Sequence, residues 1–290
     1  MTEATEGSPG RVVGFFDIGS NAVRMMCARV AGDGHGAVEP LLFERVQSRL
    51  GDGGFSTRWL QPAAILRTVE ACGYLVRQAR EAGAVEFVAV ATAAVREAGN
   101  AVALLDLLRA ECDLKVTVLS GEEEAALAHR AMRRRVDAGQ GTLLSIDIGG
   151  GSTEVALGRG DERLVCASLP LGALRLTAAA FPPGFGGVVD DARYALLRAE
   201  VKQSLRAVAA AVRQHAVGVA AGTGGTIRSL SRAAAGVLPA NHRRSDDVLW
   251  RPELLALTDM LRSLPLENRR RLPGLEPERA DVIVAGAAIL

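Results

Sequence analysis

The sequence predicts an α/β protein made of two related halves, and three observations lead to this expectation. Short apolar segments typical of strands alternate with longer segments whose apolar residues recur at helical spacing. A strand, a glycine turn and a second strand occur twice, with Asp17 and Asp147 at matching places 130 residues apart. A chain of 290 residues, 49% of them hydrophobic, is long enough to form one large or two medium domains. We expect domains at residues 12–122 and 123–290, after a flexible tail at residues 1–11.

The elements of the first half follow from local pattern. Two apolar strands flank the turn Gly19-Ser20-Asn21, and a helix whose apolar residues recur at helical spacing stops before Gly83. The strands are expected at residues 12–18, 23–30, 41–50, 85–91 and 116–119, and the helices at residues 61–82 and 101–112.

The second half restarts in the same way. Ser120 followed by Glu123 forms a capping box that opens a helix reaching about residue 136. Further strands are expected at residues 143–148, 155–157 and 217–220, and further helices at residues 190–215, 226–235, 253–264 and 279–290. The glycine turn at residues 149–152 lies between the first two of these strands.

Composition excludes several classes of function. The formal net charge of +1 removes the whole-surface argument for nucleic-acid or membrane binding. No apolar run reaches the roughly 18 residues that a membrane helix needs. The four cysteines and four histidines are scattered without metal-ligand spacing, so a zinc site is not expected. These observations predict a cytoplasmic protein with reduced thiols and no nucleic-acid or membrane partner.

The glycine turns are candidate phosphate sites. A turn rich in glycine exposes successive backbone N–H groups, which can surround phosphate oxygens, although ordinary hairpins contain such turns too. The aspartates favour a functional interpretation, since Asp17 and Asp147 end apolar strands, where a carboxylate is costly unless it is paired or bound to a cation. If the halves are duplicates, the two turns face one another.

Familiar alternatives fail residue by residue. No Gly-Lys dipeptide occurs, so a Walker P-loop is absent. The turns at residues 149–154 and 222–227 lack the last glycine of a dinucleotide fingerprint, and no serine lies in a Gly-x-Ser-x-Gly elbow. Each aspartate is followed two residues later by glycine, which leaves no second aspartate for an aspartyl-phosphate mechanism. A covalent nucleophile is therefore not indicated.

A set of carboxylates remains around the two turns: Asp17, Glu122, Glu123, Glu124, Asp147 and Glu154. Hard oxygen ligands of this kind suit Mg²⁺ that also binds substrate phosphates. The glutamate triplet lies at a helix N-terminus, where acidic residues complement the helix dipole. Neighbouring helical residues project about 100° apart, so at most one or two of the three can point into a cleft. From the residues alone, we interpret the triplet as structural.

The motifs taken together resemble one family, the exopolyphosphatase and guanosine pentaphosphate phosphatase (Ppx/GppA) family of the actin-like ATPase superfamily. The matching segments are FDIGSN (16–21), ATAAVREA (91–98), LSGEEEA (119–125), IDIGGGSTE (146–154), GGTI (224–227) and ERADVI (278–283). Each motif is weak alone, but the ordered set is highly specific, and the resemblance covers about residues 12 to 290. It implies two actin-like (ribonuclease H-like) domains with the active site in the cleft between them.

The resemblance also implies roles for individual residues. Glu124 corresponds to the general base that activates the attacking water. Glu154 is expected to take part in catalysis and to share Mg²⁺ or Mn²⁺ with Asp147 and Asp17. The residues expected to bind substrate phosphate are Ser20, Asn21 and Arg96 in the first half and Gly149, Gly150, Gly151, Ser152 and Thr153 in the second.

The expected activity is metal-dependent hydrolysis of the terminal phosphoanhydride bond of inorganic polyphosphate. The alternatives are the same chemistry on guanosine pentaphosphate, a non-catalytic binding module, and an actin-like sugar kinase. Three departures from the family are expected to matter: Ala22 replaces a common hydroxyl residue, the last element is shortened near Leu290, and the helical HD-like domain of longer members is missing. Short polyphosphate chains are therefore the expected substrates, and a homodimer is compatible with the sequence.

Overall fold

The computed structural model describes residues 10–31, 38–238 and 248–290. The chain divides into two compact units after Leu119. Each unit contains a mixed β-sheet with packed helices, which confirms the predicted α/β fold class. Within the described residues, no helix is both long and apolar enough to span a membrane.

The first unit is built on a five-stranded sheet in the order β3-β2-β1-β4-β5. Its antiparallel part joins β1, β2 and β3, whereas β1, β4 and β5 are parallel. A helix of 20 residues, α2, buries Leu75 and its apolar neighbours in this unit's core. The elements are β1 (Arg11–Ile18), β2 (Val23–Val30), β3 (Val38–Val46), α1 (Gly54–Thr57), α2 (Pro62–Glu81), β4 (Glu86–Ala91), α3 (Ala93–Arg96), α4 (Ala101–Cys112) and β5 (Val116–Val118).

The second unit has a four-stranded sheet in the order β8-β7-β6-β9. A second apolar core forms between the sheet and the helices that follow it, with Leu230, Leu257 and Ile283 at its centre. The elements are α5 (Gly121–Arg133), β6 (Thr142–Ile148), β7 (Thr153–Arg159), β8 (Glu162–Leu169), α6 (Ala173–Ala180), α7 (Asp191–Val212), β9 (Val219–Thr223), α8 (Gly224–Val237), α9 (Arg251–Ser263), α10 (Leu266–Arg269), a 3₁₀ turn (Pro277–Arg279) and α11 (Ile283–Ile289).

The four strands of the second sheet repeat the arrangement of β3, β2, β1 and β4 in the first. In both, an antiparallel hairpin is extended by a third antiparallel strand on one side and by a parallel strand on the other. The hairpin turns close with the same backbone bond, from Gly19 N to the Ala22 carbonyl at 3.1 Å and from Gly149 N to the Ser152 carbonyl at 2.9 Å. The sequence repeat around Asp17 and Asp147 is therefore also a repeat of local structure.

Several predicted boundaries in the first unit are wrong. Arg11, assigned to the tail, already pairs with Val30 in the sheet, while residues 1–9 lie outside the described residues. Strand β3 is displaced toward the N-terminus and ends at Val46, because the chain then leaves the sheet to lie over the β1–β2 turn. There Arg49 N donates to the Asn21 carbonyl at 3.0 Å. The short helices α1 and α3 were not predicted.

The second unit departs further from the sequence prediction. Strand β8 and helix α6 were not predicted, although both contribute to the site described below. Strand β9 begins later than expected because Gly218 N is bound by the Thr142 hydroxyl before pairing with β6 begins. The second compact unit starts at Ser120, which caps α5, and the domain boundary at residue 123 stays a prediction. The C-terminal helix is shorter than predicted and follows a 3₁₀ turn.

A buried histidine attaches α5 to the sheet of the second unit. His129 is 5% exposed, and its Nδ1 lies 2.8 Å from the Ser145 hydroxyl of β6. Its Nε2 has no hydrogen-bond partner among the described residues and packs against Gly158, where an added methyl group would lie 2.7 Å away. Burial, together with the Arg133 charge, lowers the pKa of His129 below its usual value of 6.5.

This environment predicts acid destabilisation of the second unit. Because the unfolded chain binds the His129 proton more readily than the folded chain, the free energy of unfolding should fall as pH drops below about 6.5, by at most about 1.4 kcal/mol per pH unit. Chemical denaturation between pH 5 and 7.5 measures this slope. His129→Asn should be less stable but should lose this part of the slope, and equal slopes in both proteins would contradict the prediction.

Candidate active site

The candidate site lies at one edge of the second unit's sheet. Strands β6 and β9 are parallel and end together, with Asp147 paired to Thr223 in register. The turn at residues 149–152 and the N-terminus of α8 follow these strand ends directly. Loops and helix N-termini therefore meet at the carboxyl ends of neighbouring parallel strands, a usual location for ligand sites in α/β sheets.

Gly224 allows α8 to begin against Asp147. Its φ of 84° lies in the left-handed region, and a methyl group added there would come within 2.1 Å of Asp147 Oδ1. Only glycine combines this backbone conformation with so close an approach. The positive end of the 14-residue helix α8 is thereby placed beside a carboxylate.

The glycine turn is held by α6. The Gly149 carbonyl accepts a hydrogen bond from Ala173 N at 3.0 Å, and the Gly150 carbonyl accepts from Leu174 N at 2.9 Å and from Arg175 N at 3.0 Å. Helix α6 can approach this closely because residue 172 is glycine, and a methyl group there would lie 2.4 Å from Gly150.

The N–H groups of the same turn, unlike its carbonyl groups, are not bound by α6. In the described parts of the chain, the N–H groups of Gly150, Gly151 and Ser152 donate to no backbone carbonyl. Three successive donors next to carboxylates form the kind of backbone site that binds phosphate oxygens.

Glu154 is the most perturbed carboxylate of the site. It is 3% exposed and lies opposite Asp147 in the β6–β7 register. Its carboxylate accepts hydrogen bonds from Ser168 Oγ of β8, at 2.8 Å, and from the Ser152 side chain. Burial, followed by the charges of Glu124 and Asp147, raises the pKa of Glu154 to about 8, although both serine bonds act to lower it. Three carboxylates therefore interact electrostatically within the second unit.

The glutamate triplet has divided roles. Glu123 completes the capping box: its Oε2 accepts from Ser120 N at 2.7 Å, and its own N donates to Ser120 Oγ at 3.2 Å. The hydrogen bonds that its carboxylate accepts from the Ser120 backbone and side chain lower the pKa of Glu123. Glu122 is exposed. Glu124 is half-buried, and its charge raises the pKa of Glu154. The structural interpretation fits Glu123, whereas Glu124 belongs to the candidate site.

The predicted residues of the first unit lie around the β1–β2 turn and α3. Ser20 and Asn21 are buried at 3% and 8% exposure. Asp17 Oδ2 forms an ion pair with Arg24 Nη1 at 3.0 Å, so the charge of Asp17 already has a partner. Arg96 uses Nη1 to bind the Leu119 carbonyl at 2.9 Å, which fixes the guanidinium at the end of β5.

Thr153 has a mainly structural contact. This residue is 1% exposed, and its hydroxyl donates to the Leu171 carbonyl, which ties β7 to the loop before α6. Its hydroxyl proton is therefore engaged, unlike the N–H groups of the preceding turn.

A metal ion at this site would need water or substrate phosphate as ligands in addition to protein side chains. Within residues 10–31, 38–238 and 248–290, no three His, Cys, Asp or Glu side chains are grouped so that they could hold a metal by themselves. His35 and His242, two of the four scattered histidines, lie outside those ranges. Asp147 and Glu154 fit an ion such as Mg²⁺, which commonly uses one or two carboxylates, several waters and substrate phosphates.

Sequence reasoning missed three residues of these turns. Ser168 binds Glu154, Arg175 binds the Gly151 carbonyl through Nε at 2.7 Å, and Arg24 pairs with Asp17. The Arg24 contact could have been found by pairing the two strands across the Gly19 turn. The other two depend on β8 and α6, which the pattern analysis did not detect.

Comparison with known proteins gives a consistent result. A model of the Ppx/GppA phosphatase family matches residues 29–290. Exopolyphosphatase 1 of Mycobacterium leprae is 32% identical over 278 residues, which cover 96% of this chain and 80% of that protein. Exopolyphosphatase 1 of Mycobacterium tuberculosis is 30% identical, with 96% and 79% covered.

Solved structures resemble this chain as well. A Ppx/GppA family member from Aquifex aeolicus superposes with a TM-score of 0.71 at 28% identity, covering 97% of this chain and 89% of that one. An exopolyphosphatase from Cytophaga hutchinsonii gives a TM-score of 0.85 at 23% identity, covering 96% and 88%, a likeness in fold.

The raised pKa of Glu154 predicts a pH-dependent stability without metal. Because the folded chain holds this proton up to about pH 8 and the unfolded chain releases it near 4.5, the free energy of unfolding should fall as pH rises between these values. The slope from this group is at most about 1.4 kcal/mol per pH unit. Denaturation in chelator, compared with Glu154→Gln, tests this: the variant should lose that decline, and a persisting decline would assign it to other groups.

Proposed function

The chain belongs to the Ppx/GppA phosphatase family, and from this premise we propose that it is an exopolyphosphatase that hydrolyses the terminal phosphoanhydride bond of inorganic polyphosphate and releases orthophosphate. Its relatives with this name are hydrolases. The observation that carries the proposal is the placement of Glu124, Asp147 and Glu154 in one electrostatic cluster on the unit that bears the turn at residues 149–152. A carboxylate base beside backbone N–H groups that can bind phosphate oxygens suits attack by water on phosphorus.

Glu124 is the proposed general base. It is half-buried on the first turn of α5 and interacts electrostatically with Glu154, whereas Glu123 caps the helix. Water attacks the terminal phosphorus in line, Glu124 takes its proton, and the shortened polyphosphate leaves.

Asp147 and Glu154 are the proposed metal ligands, and Glu154 also takes part in catalysis. Mg²⁺ or Mn²⁺ bound there would neutralise charge that develops on the phosphate oxygens. The elevated pKa of Glu154 supports this assignment, because a buried carboxylate beside two others is destabilised until a cation offsets its charge. Asp17 stays a weaker metal candidate, since Arg24 already balances its charge.

Backbone donors supply the proposed phosphate contacts. The N–H group of Gly149 closes the turn by donating to the Ser152 carbonyl. The next three N–H groups, of Gly150, Gly151 and Ser152, point away from α6 and are proposed to bind the equatorial phosphate oxygens. Ser20, Asn21 and Arg96 are proposed to bind substrate phosphate from the first unit. Thr153 contributes by fixing β7 rather than by donating to phosphate.

Replacement of Glu124 by Gln should lower kcat by roughly 10²–10⁴, because the amide cannot accept the proton of the attacking water. Phosphate release from a short polyphosphate measures turnover, and calorimetric binding of the same chain should be preserved. Glu123→Gln is the matched control, because glutamine keeps the capping box. A larger fall in kcat for Glu123→Gln than for Glu124→Gln would show that Glu124 is not the base.

Replacement of Asp147 by Asn should raise the Mg²⁺ concentration needed for half-maximal activity, since an amide is a poorer ligand for a hard cation. The measurement is a metal titration at saturating substrate. Asp17→Asn serves as the comparison and should shift the titration less. An unchanged titration together with a lower melting temperature would make Asp147 a structural residue.

Polyphosphate should be preferred to guanosine pentaphosphate, the nearest alternative substrate, and short chains to very long ones. A polyphosphate end requires only backbone donors, metal and arginines, whereas guanine recognition favours a stacking aromatic, and aromatic residues make up 4% of the chain. Values of kcat/KM at matched ionic strength and Mg²⁺ decide the question. A higher value for guanosine pentaphosphate would overturn the substrate assignment but leave the hydrolytic mechanism intact.

Two further expectations stay predictions: a cytoplasmic location and a homodimer. The same phosphate-release assay separates a hydrolase from a sugar kinase, which consumes ATP together with an acceptor, and from a binding module, which releases no phosphate.

A further inference from the structure

We propose that Arg175 is a positioning residue that holds the phosphate-binding turn in its binding conformation through the Gly151 carbonyl, an inference that rests on the proposed function of that turn. Arg175 is the third residue of α6 and contacts the turn twice. Its backbone N donates to the Gly150 carbonyl at 3.0 Å, and its side-chain Nε donates to the Gly151 carbonyl at 2.7 Å.

Peptide planarity converts these contacts into donor orientation. In a trans peptide, the C=O of one residue and the N–H of the next point in opposite directions. Helix α6 binds the carbonyls of Gly149, Gly150 and Gly151, so the N–H groups of Gly150, Gly151 and Ser152 must point away from α6. These are the three donors proposed to bind phosphate.

The third peptide depends on a side chain. Backbone N–H groups of α6 hold the first two carbonyls, and any sequence in that helix could supply them. The Gly151 carbonyl is held by the Arg175 guanidinium. Because glycine peptides have wide conformational freedom, the Gly151–Ser152 peptide would rotate more easily without this bond, and the Ser152 N–H would lose its direction.

A direct role in phosphate binding is the competing explanation, since guanidinium groups bind phosphate well. The two roles require different atoms. Positioning requires one N–H donor at the place of Arg175 Nε, whereas direct binding requires the positive charge. Glutamine carries its amide nitrogen at the same number of bonds from Cα as Arg Nε, so Arg175→Gln keeps the donor and removes the charge. Arg175→Met keeps similar length and removes both.

The experiment combines NMR relaxation with kinetics. The ¹⁵N order parameters of the amides in residues 149–153 are measured in the substrate-free protein, and KM and kcat are measured with a short polyphosphate. Arg175→Met should lower the order parameter of the Ser152 amide from about 0.85, typical of rigid backbone, to below about 0.6. It should also raise KM by about tenfold, as expected for one lost hydrogen bond to a charged donor. Arg175→Gln should keep the wild-type order parameter and a KM within about threefold of the wild type. Arg206→Met, at an exposed position of α7, is the control for loss of an arginine.

The outcomes separate the explanations. An equal increase in KM in Arg175→Gln and Arg175→Met, with wild-type order parameters, would overturn positioning in favour of direct charge contact. An unchanged Ser152 order parameter in Arg175→Met would overturn it as well. If Arg175→Met does not fold, Arg175→Gln decides alone, because positioning requires a nearly normal KM and direct contact requires a raised one. The order parameters are measured without substrate, so a protein that lacks polyphosphate hydrolysis but shows the predicted change at Ser152 would refute the proposed function and not the role of Arg175.

Discussion

The burial of Glu154 opposite Asp147 is the constraint on which the rest of the second unit's site depends. Antiparallel pairing of β6 and β7 brings the two carboxylates together at the end of the sheet, and Glu124 adds a third charge. Such an arrangement is unfavourable by itself. The surrounding structure offsets it in part, with hydrogen bonds from Ser168 and Ser152 to Glu154 and with the N-terminus of α8 beside Asp147. The remaining imbalance raises the pKa of Glu154 and is the basis for the proposal that a cation binds there.

The first unit shows what the same scaffold becomes when one charge changes sign. Its hairpin has the same turn, but Arg24 occupies the position that Glu154 has in the second unit, and Arg45 of β3 occupies that of Ser168. Asp17 is consequently neutralised by an ion pair instead of facing another carboxylate. The same hairpin therefore carries two opposed carboxylates in one unit and an ion pair in the other. This difference is the physical reason for assigning the metal to Asp147 and Glu154 before Asp17.

Much of the fold could be predicted from apolar periodicity, and the failures have physical causes. The strands β1, β2 and β6 have nearly continuous apolar runs, and α2 has a clear apolar face. Strand β8 is mostly half-buried and carries mixed residues, while α6 begins at Gly172 without a side-chain cap, so neither gives a strong local pattern. In the site, helix geometry limits how many residues of the glutamate triplet can face a cleft, but only packing of α5 on the sheet selects Glu124. Strand pairing across β8 places Ser168, and no local signal reports it.

The sequence pattern does not predict α6, and this helix determines how the glycine turn presents its N–H groups. A run of glycines predicts a turn whose N–H groups can bind phosphate, yet glycine permits many other orientations of the same peptides. In this structure α6 determines the orientation of these peptides. Its first backbone N–H groups and the Arg175 side chain donate hydrogen bonds to three carbonyls of the turn. The N-terminus of α6 is therefore not itself the anion site, because its donors are already used. Helix α6 instead fixes which face of each glycine peptide presents its N–H group, and the proposed phosphate site depends on that orientation.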